Sequence, residues 1–167
     1  MRKTNREIRD FDKIVDIIQN TTTIRLGIND YPYPYVVPVS FGFDVQDDKL
    51  CFYFHGATIG KKVQLLDKNP LVCVEGDIFH RYMDTIKSVT CLYESFIAYG
   101  KCSLLDENDA IHGLKQILKH CNYFDHPFNT DVLPIVNVYK IEVESITAKH
   151  RTKDNWYIIK NIYKDDI

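Results

Sequence analysis

The sequence is short of the features that would assign it to several common function classes. Its five cysteines, Cys51, Cys73, Cys91, Cys102 and Cys121, are odd in number and form no CxxC pair. That argues against a disulfide framework and for reduced, buried thiols. No apolar run approaches the ~20 residues of a membrane span, and the start, MRKTNREIRDFDK, has no apolar signal-peptide core. The expected location is therefore cytoplasmic. Positive charge is in no surplus: 21 Lys and Arg stand against 23 Asp and Glu, a formal net charge of −2. Nothing global points to nucleic acid or an anionic membrane as partner. A G-x-G-x-x-G loop is missing, and in the middle of the chain the arginines reduce to Arg81. His112, His120, Cys121 and His126 do not have the compact spacing of a zinc site, so the histidines read as surface residues and no metal is expected. The lone tryptophan, Trp156, reads as a packing residue.

What is present suggests sheet. Eleven tyrosines and nine phenylalanines accompany many β-branched residues. With 167 residues the chain has length for a single domain, 1–167, in which 152–167 form a C-terminal extension; such a chain buries roughly 70% of its unfolded surface. Asp10 caps a helix over Asp10–Gln19 whose apolar face carries Phe11, Ile14, Val15 and Ile18. Strands are expected over Thr21–Ile28, Tyr35–Val45, Leu50–Phe54, Leu71–Ile78, Ser88–Leu105 and Ile135–Ile146, with turns at Asn29–Pro32 and Asp47-Asp48. A short helix over Gly60–Leu66 and a longer one from Asp106 to near Cys121 complete the pattern. Six strands in short-turn hairpins imply antiparallel pairing, and closure into a small barrel would remove their apolar edges.

The stretch FHGATIGKK, Phe54 to Lys62, carries the chemistry. It is not a P-loop: three residues, not four, separate Gly56 from Gly60, and Lys62 stands where Ser or Thr would ligate magnesium. It still suits a phosphate. A helix starting near Gly60 offers unpaired N–H groups and its positive dipole end, Thr58 adds a hydroxyl, and Lys61 and Lys62 add charge. Lysines there oppose the dipole by roughly 0.3–1 kcal/mol each, a conflict that a bound anion removes. Spacing alone leaves open that both lysines are simply solvated.

Three segments, YPYVVPVSFGF (Tyr33–Phe43), LCFYFHGATIGKKVQLLDKNPLVCVEG (Leu50–Gly76) and LYESFIAYGKCSLLD (Leu92–Asp106), resemble the pyridoxamine 5′-phosphate oxidase-like split barrels that bind flavin mononucleotide (FMN), in particular their 5-nitroimidazole resistance branch. The most specific element is Y-x-H-x-A-x-x-G-K-K with Asn-Pro eight residues after Lys61. The resemblance spans about Arg6 to Lys149. It implies a mainly β chain with flanking helices, a six-stranded antiparallel split β-barrel, and a homodimer with FMN at the interface. It also implies that Val37, Pro38, Val39 and Ser40 run along the flavin ring and that His55, Gly56, Ala57 and Thr58 line the ring and ribityl chain. Lys61 and Lys62 would meet the phosphate, and Tyr93 and Ser95 would complete the pocket. In this reading His55 is the catalytic proton donor, since an unperturbed imidazole titrates near ~6.5. The stretch Asp77–Lys87, with His80, Arg81 and Tyr82, is expected on the substrate side.

The function implied is electron transfer from NADH or NADPH through FMN to a small acceptor, a nitroimidazole or other nitroaromatic. The alternative is a protein that binds a flavin or tetrapyrrole without turnover. A pyridoxamine phosphate oxidase proper is disfavoured by the scarcity of arginine. A single-strand nucleic-acid barrel is disfavoured by the lack of a basic stripe.

Overall fold

The computed structural model describes residues 4–46, 49–127 and 130–151. The Asp47-Asp48 turn and Trp156 with the rest of the 152–167 extension lie outside the described residues. A 3-10 turn, Thr4–Arg6, leads into β1 (Glu7–Ile8) and α1 (Phe11–Asn20). β2 (Ile24–Ile28), β3 (Tyr35–Val39), β4 (Gly42–Gln46) and β5 (Lys49–Ala57) follow. Then come α2 (Lys61–Lys68), β6 (Leu71–Asp84), β7 (Val89–Leu104), α3 (Glu107–His120), a second 3-10 turn (Thr130–Ile135) and β8 (Val136–Arg151).

The strands join in the order β3-β2-β6-β7-β8-β5-β4, and β1 adds to β8. The pairings of β2 with β3, β4 with β5, β5 with β8 and β1 with β8 are antiparallel. The order is a path that ends at β3 and β4, so among the described residues the ladder does not close into the ring expected from the apolar strands. The expected Tyr35–Val45 strand is in fact two. β3 pairs with β2, whereas β4 pairs with β5. Part of the reason lies at Gly42: a Cβ there would collide with the α3 backbone at Gln116 and Ile117. The chain turns over at Ser40-Phe41 and brings a residue without a side chain under that helix.

α1 starts where Asp10 accepts from the Asp12 N–H at 3.1 Å and buries Ile14, Ile17 and Ile18. Ile17 takes the place expected for Phe11 and Val15, which are only half-buried. β6 extends past Ile78 to Asp84, and β8 past Ile146 to Arg151.

The described chain forms two compact units. One comprises residues 4–21, 76–97 and 147–151, with Ile8, Ile14, Ile18, Leu92 and Phe96 among its buried residues. Its Gly76 leaves room for the Phe96 ring, which a Cβ would meet at 2.5 Å. The other comprises Thr22–Glu75 and Ala98–Ile146 (its described residues). In it α3 packs Ala110, Leu114 and Ile117 against Cys51, Tyr53 and Val138. Gly113 permits the approach, since a Cβ would fall 3.0 Å from Val138 and 3.1 Å from Tyr53. No helix among the described residues is long and apolar enough to cross a membrane.

Candidate functional site

The FHGATIGKK stretch folds as the end of β5, a bend over 58–60 and the first turn of α2. Gly60 sits at the helix N-cap with φ 138°, a conformation in which any L side chain is strained. It brings no capping side chain, and the first turn has no acidic residue. The helix closes on itself only from Gln64 N–H to the Gly60 carbonyl, 3.1 Å. The N–H groups of the first turn are thus without a helical acceptor.

The two lysines of that turn differ. Lys61 Nζ forms an ion pair with Asp30 Oδ2 at 2.6 Å and lies 5.4 Å from the Tyr35 ring centroid. The hydrogen bond from Lys61 holds the Asp30 carboxyl below its usual pKa. Lys61 is therefore engaged with Asp30 in the unliganded chain. Lys62 is half-buried, and no carboxylate pairs with it among the described residues. Its Nζ lies 5.0 Å from the centroid of the buried Phe54 ring and directly over Gly56, where a Cβ would fall 2.7 Å from it. Gly56 is what lets the ammonium lie against the strand. Burial pulls the Lys62 pKa down. A partly desolvated cation without a counter-ion, beside a helix N-terminus, is the arrangement that an incoming anion stabilises.

His55 precedes Gly56 and pairs across the ladder with Val138. Its pKa is lowered, first by loss of surrounding water and second by the charge of Lys62. The ring borders a cavity of about 290 Å³ walled by Leu114, Ile117, Val132 and Val136, with His126 also on its rim. Ala57 and Thr58 are exposed. Beneath the site, Cys102 is buried and its thiol is pushed up to about 12, so it stays protonated near neutral pH.

Val37, Pro38, Val39 and Ser40 lie on or just after β3, an end strand of the sheet order. Val39 faces the core, Val37 is half-buried, and Pro38 and Ser40 are exposed. A ligand along this strand would meet backbone, Pro38 and Ser40 rather than Val39. Pro38 suits an edge because it has no N–H to leave unpaired. These four residues, His55 to Thr58, and Lys61 and Lys62 all belong to one compact unit. Tyr93 and Ser95 belong to the other. There Ser95 is buried and the Tyr93 ring carries Lys149 Nζ at 5.7 Å from its centroid.

Asp77–Lys87, expected on the substrate side, is largely strand: the Phe79 and Tyr82 rings lie 5.1 Å apart and tilted, and His80 Nε2 lies 3.1 Å from Glu94 Oε2. His112 and His120 are not idle surface residues. His112 Nε2 lies 2.8 Å from Asp44 Oδ2, and Tyr53 OH donates to the same carboxylate at 3.1 and 3.2 Å. Burial, then the Asp44 charge, raises the Tyr53 pKa strongly. The His120 ring packs 4.2 Å from Phe41. Spacing along the chain could not reveal Asp44–His112, whose members are 68 residues apart. No group of three or more metal-ligating side chains occurs among the described residues.

This arrangement of strands, helices and a half-buried lysine at a helix start can be compared with known proteins. A family model described as pyridoxamine 5′-phosphate oxidase matches residues 10–150. The chain belongs to the pyridoxamine 5′-phosphate oxidase family. A crystal structure of a candidate 5-nitroimidazole antibiotic resistance protein from Bacteroides thetaiotaomicron is similar at 28% identity and TM-score 0.76, with 86% of each chain covered. A flavocytochrome from Azotobacter vinelandii is similar at 16% identity and TM-score 0.72, covering 90% of this chain and 74% of that one. An FAD-binding protein from Mesorhizobium loti is similar at 16% identity and TM-score 0.64, covering 88% and 98%. At 16% identity the latter two are evidence of fold alone. No curated protein sequence matches the chain. The family fold is the mainly β split barrel with flanking helices that the motifs suggested.

Proposed function

We propose that this family member is an FMN-dependent reductase that passes electrons from NADH or NADPH to a small acceptor, a nitroimidazole or another nitroaromatic. The observation that carries the reading is Lys62, a half-buried cation without a carboxylate partner among the described residues, over Gly56 at an uncapped helix start. The donor set fits a phosphate monoester: one ammonium, the first-turn N–H groups of α2 and the Thr58 hydroxyl. Bound FMN would supply the redox chemistry. The edge of β3 at Val37–Ser40 supplies backbone groups and Pro38 for a flat polar ring. Family membership and the likeness to a candidate nitroimidazole resistance protein support the acceptor class.

The role of His55 follows from its surroundings. Loss of surrounding water, then the Lys62 charge, favours the neutral imidazole in the unliganded chain. An anion on Lys62 removes the second of these causes. The imidazole pKa then rises toward its ordinary range, and a ring nitrogen can hold a proton for an acceptor in the adjoining cavity. The apolar walls of Leu114, Ile117 and Val132 suit a small aromatic molecule. The proposed functional form is a cytoplasmic homodimer with FMN at the interface.

The test is a visible spectrum of the full chain after loading with FMN or FAD and removing the excess. Retained flavin absorbance, preferring FMN and lost in Lys62→Ala, supports the site. Folded protein that retains no flavin sinks it. Retained flavin that never oxidises NADH or NADPH with any nitroaromatic of a panel leaves flavin binding without turnover as the function.

A further inference from the structure

A phosphate site has to tell a monoester from a diphosphate, and Asp30 stands where that choice can be made. It lies two residues past the end of β2, in the turn that leads to β3. α2 packs on β2, which brings Asp30 to the first turn of that helix. Asp30 Oδ2 meets Lys61 Nζ at 2.6 Å. Its Oδ1 accepts the Tyr31 N–H at 3.1 Å, so both carboxylate oxygens are engaged and the group is held in place. The Lys61 ammonium also lies 5.4 Å from the centroid of the Tyr35 ring. Lys68, in the last turn of α2, adds a weaker attraction on Asp30. Asp30, Tyr35, Gly56, Lys61 and Lys62 all belong to the same compact unit.

The acid does not act as a helix cap. Asp10 and Asp106 accept N–H groups of the helices that they begin. Asp30 reaches the first turn of α2 yet bonds the lysine, and the helix start keeps no side-chain cap. The carboxylate thus cancels one positive charge without filling the seat of an anion. A ligand meets Lys62 and the first-turn N–H groups, a donor set for one phosphate group. A second phosphate would need the neighbouring cation, Lys61. There it finds an ion pair already made and a carboxylate that repels it. Discrimination built on an element that opposes the wrong ligand is a general device. A purely structural account makes Lys61–Asp30 an exposed pair that ties the turn to the helix and is worth little. In that account removal of Asp30 leaves anion affinity unchanged.

We propose that Asp30, by holding Lys61, makes the site at the start of α2 select a phosphate monoester over a diphosphate. That the two ligands are FMN and FAD rests on the flavin reading of the site. The experiment is calorimetric titration of the flavin-free full chain with inorganic phosphate and pyrophosphate, and absorbance titration with FMN and FAD. Asp30→Asn keeps the shape of the side chain and frees Lys61. It is expected to tighten pyrophosphate and FAD about tenfold, the scale of one charge-assisted contact, and phosphate and FMN about threefold. In Asp30→Asn with Lys61→Met, all four affinities return to near those of the unaltered chain, because the gain runs through Lys61. Asp30→Ser, which keeps a hydroxyl for the Tyr31 N–H, is expected to act as Asp30→Asn does and replaces it if that variant folds poorly. Equal changes for one phosphate and two, no change, or a gain that survives in the Lys61→Met background each overturn the proposal. If the unaltered chain binds neither inorganic anion, pyrophosphate binding gained in Asp30→Asn supports it and none gained overturns it. The flavin reading fails separately, when folded protein retains no flavin; the ratio of pyrophosphate to phosphate affinity is read without flavin.

Discussion

The two helices of the larger unit begin in opposite ways. α3 is capped by Asp106, whose Oδ1 accepts the Asp109 N–H at 3.0 Å, and Glu107 and Asp109 complement its dipole in the first turn. Lys119 and His120 complement it in the last. α2 begins on Gly60 with no side-chain cap and with Lys61 and Lys62 in the first turn. α3 satisfies its own N-terminus and serves as structure. α2 stays unsatisfied in the free chain, held by Leu65 and Leu66 at its buried side, and so keeps donors for a ligand. A helix start that is poor for stability is the better binding site, because ligand anions and capping carboxylates compete for the same N–H groups.

Breaking α3 docking should have the largest effect. Gly42→Ala forces a methyl into the α3 backbone and is expected to cost about 3 kcal/mol in urea unfolding, with flavin retention per folded molecule little changed. Next comes Lys62→Met. It should weaken FMN binding about thirtyfold by absorbance titration. Because burial lowers the Lys62 pKa, the folded chain holds this charge at a cost, and the same variant should raise the unliganded Tm by about 2 °C. A substitution that destroys binding while stabilising the protein would mark Lys62 as a functional residue.

Asp106→Ala is expected to cost about 1 kcal/mol of stability, the usual worth of a cap, and to leave FMN affinity intact. Lys61→Ala should weaken FMN only about threefold, since exposed Lys61 is already spent on Asp30; an effect as large as that of Lys62→Met would erase the distinction between the two lysines. The smallest effect is on His55. In the unliganded protein its NMR titration should lie below the ordinary 6.5, and FMN should raise it. The sign for stability follows. The unfolded chain takes up this proton at a higher pH than the folded one, so stability is lost as pH falls through 6.5 toward the depressed value. His55→Gln should flatten that part of the profile.

Much of the fold was legible in the chain. The Asp10 and Asp106 caps, the hairpins and the final strand follow local rules of capping and alternation, and the structure places them within a few residues. The split of Tyr35–Val45 into β3 and β4 was not legible. Alternation runs on through YVVPVSFGF, and the change of partner at Ser40-Phe41 depends in part on α3, more than sixty residues away, meeting Gly42. The site was legible as a motif and not as an electrostatic arrangement. FHGATIGKK marks glycine, hydroxyl and lysine next to a helix start, but gives Lys61 and Lys62 equal standing. Asp30 separates them, and nothing in local spacing links position 30 to position 61.

By itself, then, the sequence determined the family, the strand-rich class and the stretch where an anion would be met, because those depend on residue types close together in the chain. The tertiary structure alone decided which lysine is engaged and which is not, that Asp44 joins His112 to Tyr53, and that Glu7 pairs with Lys149. Charge pairing and burial act through space at a few ångströms, between side chains that the sequence leaves tens of residues or more apart.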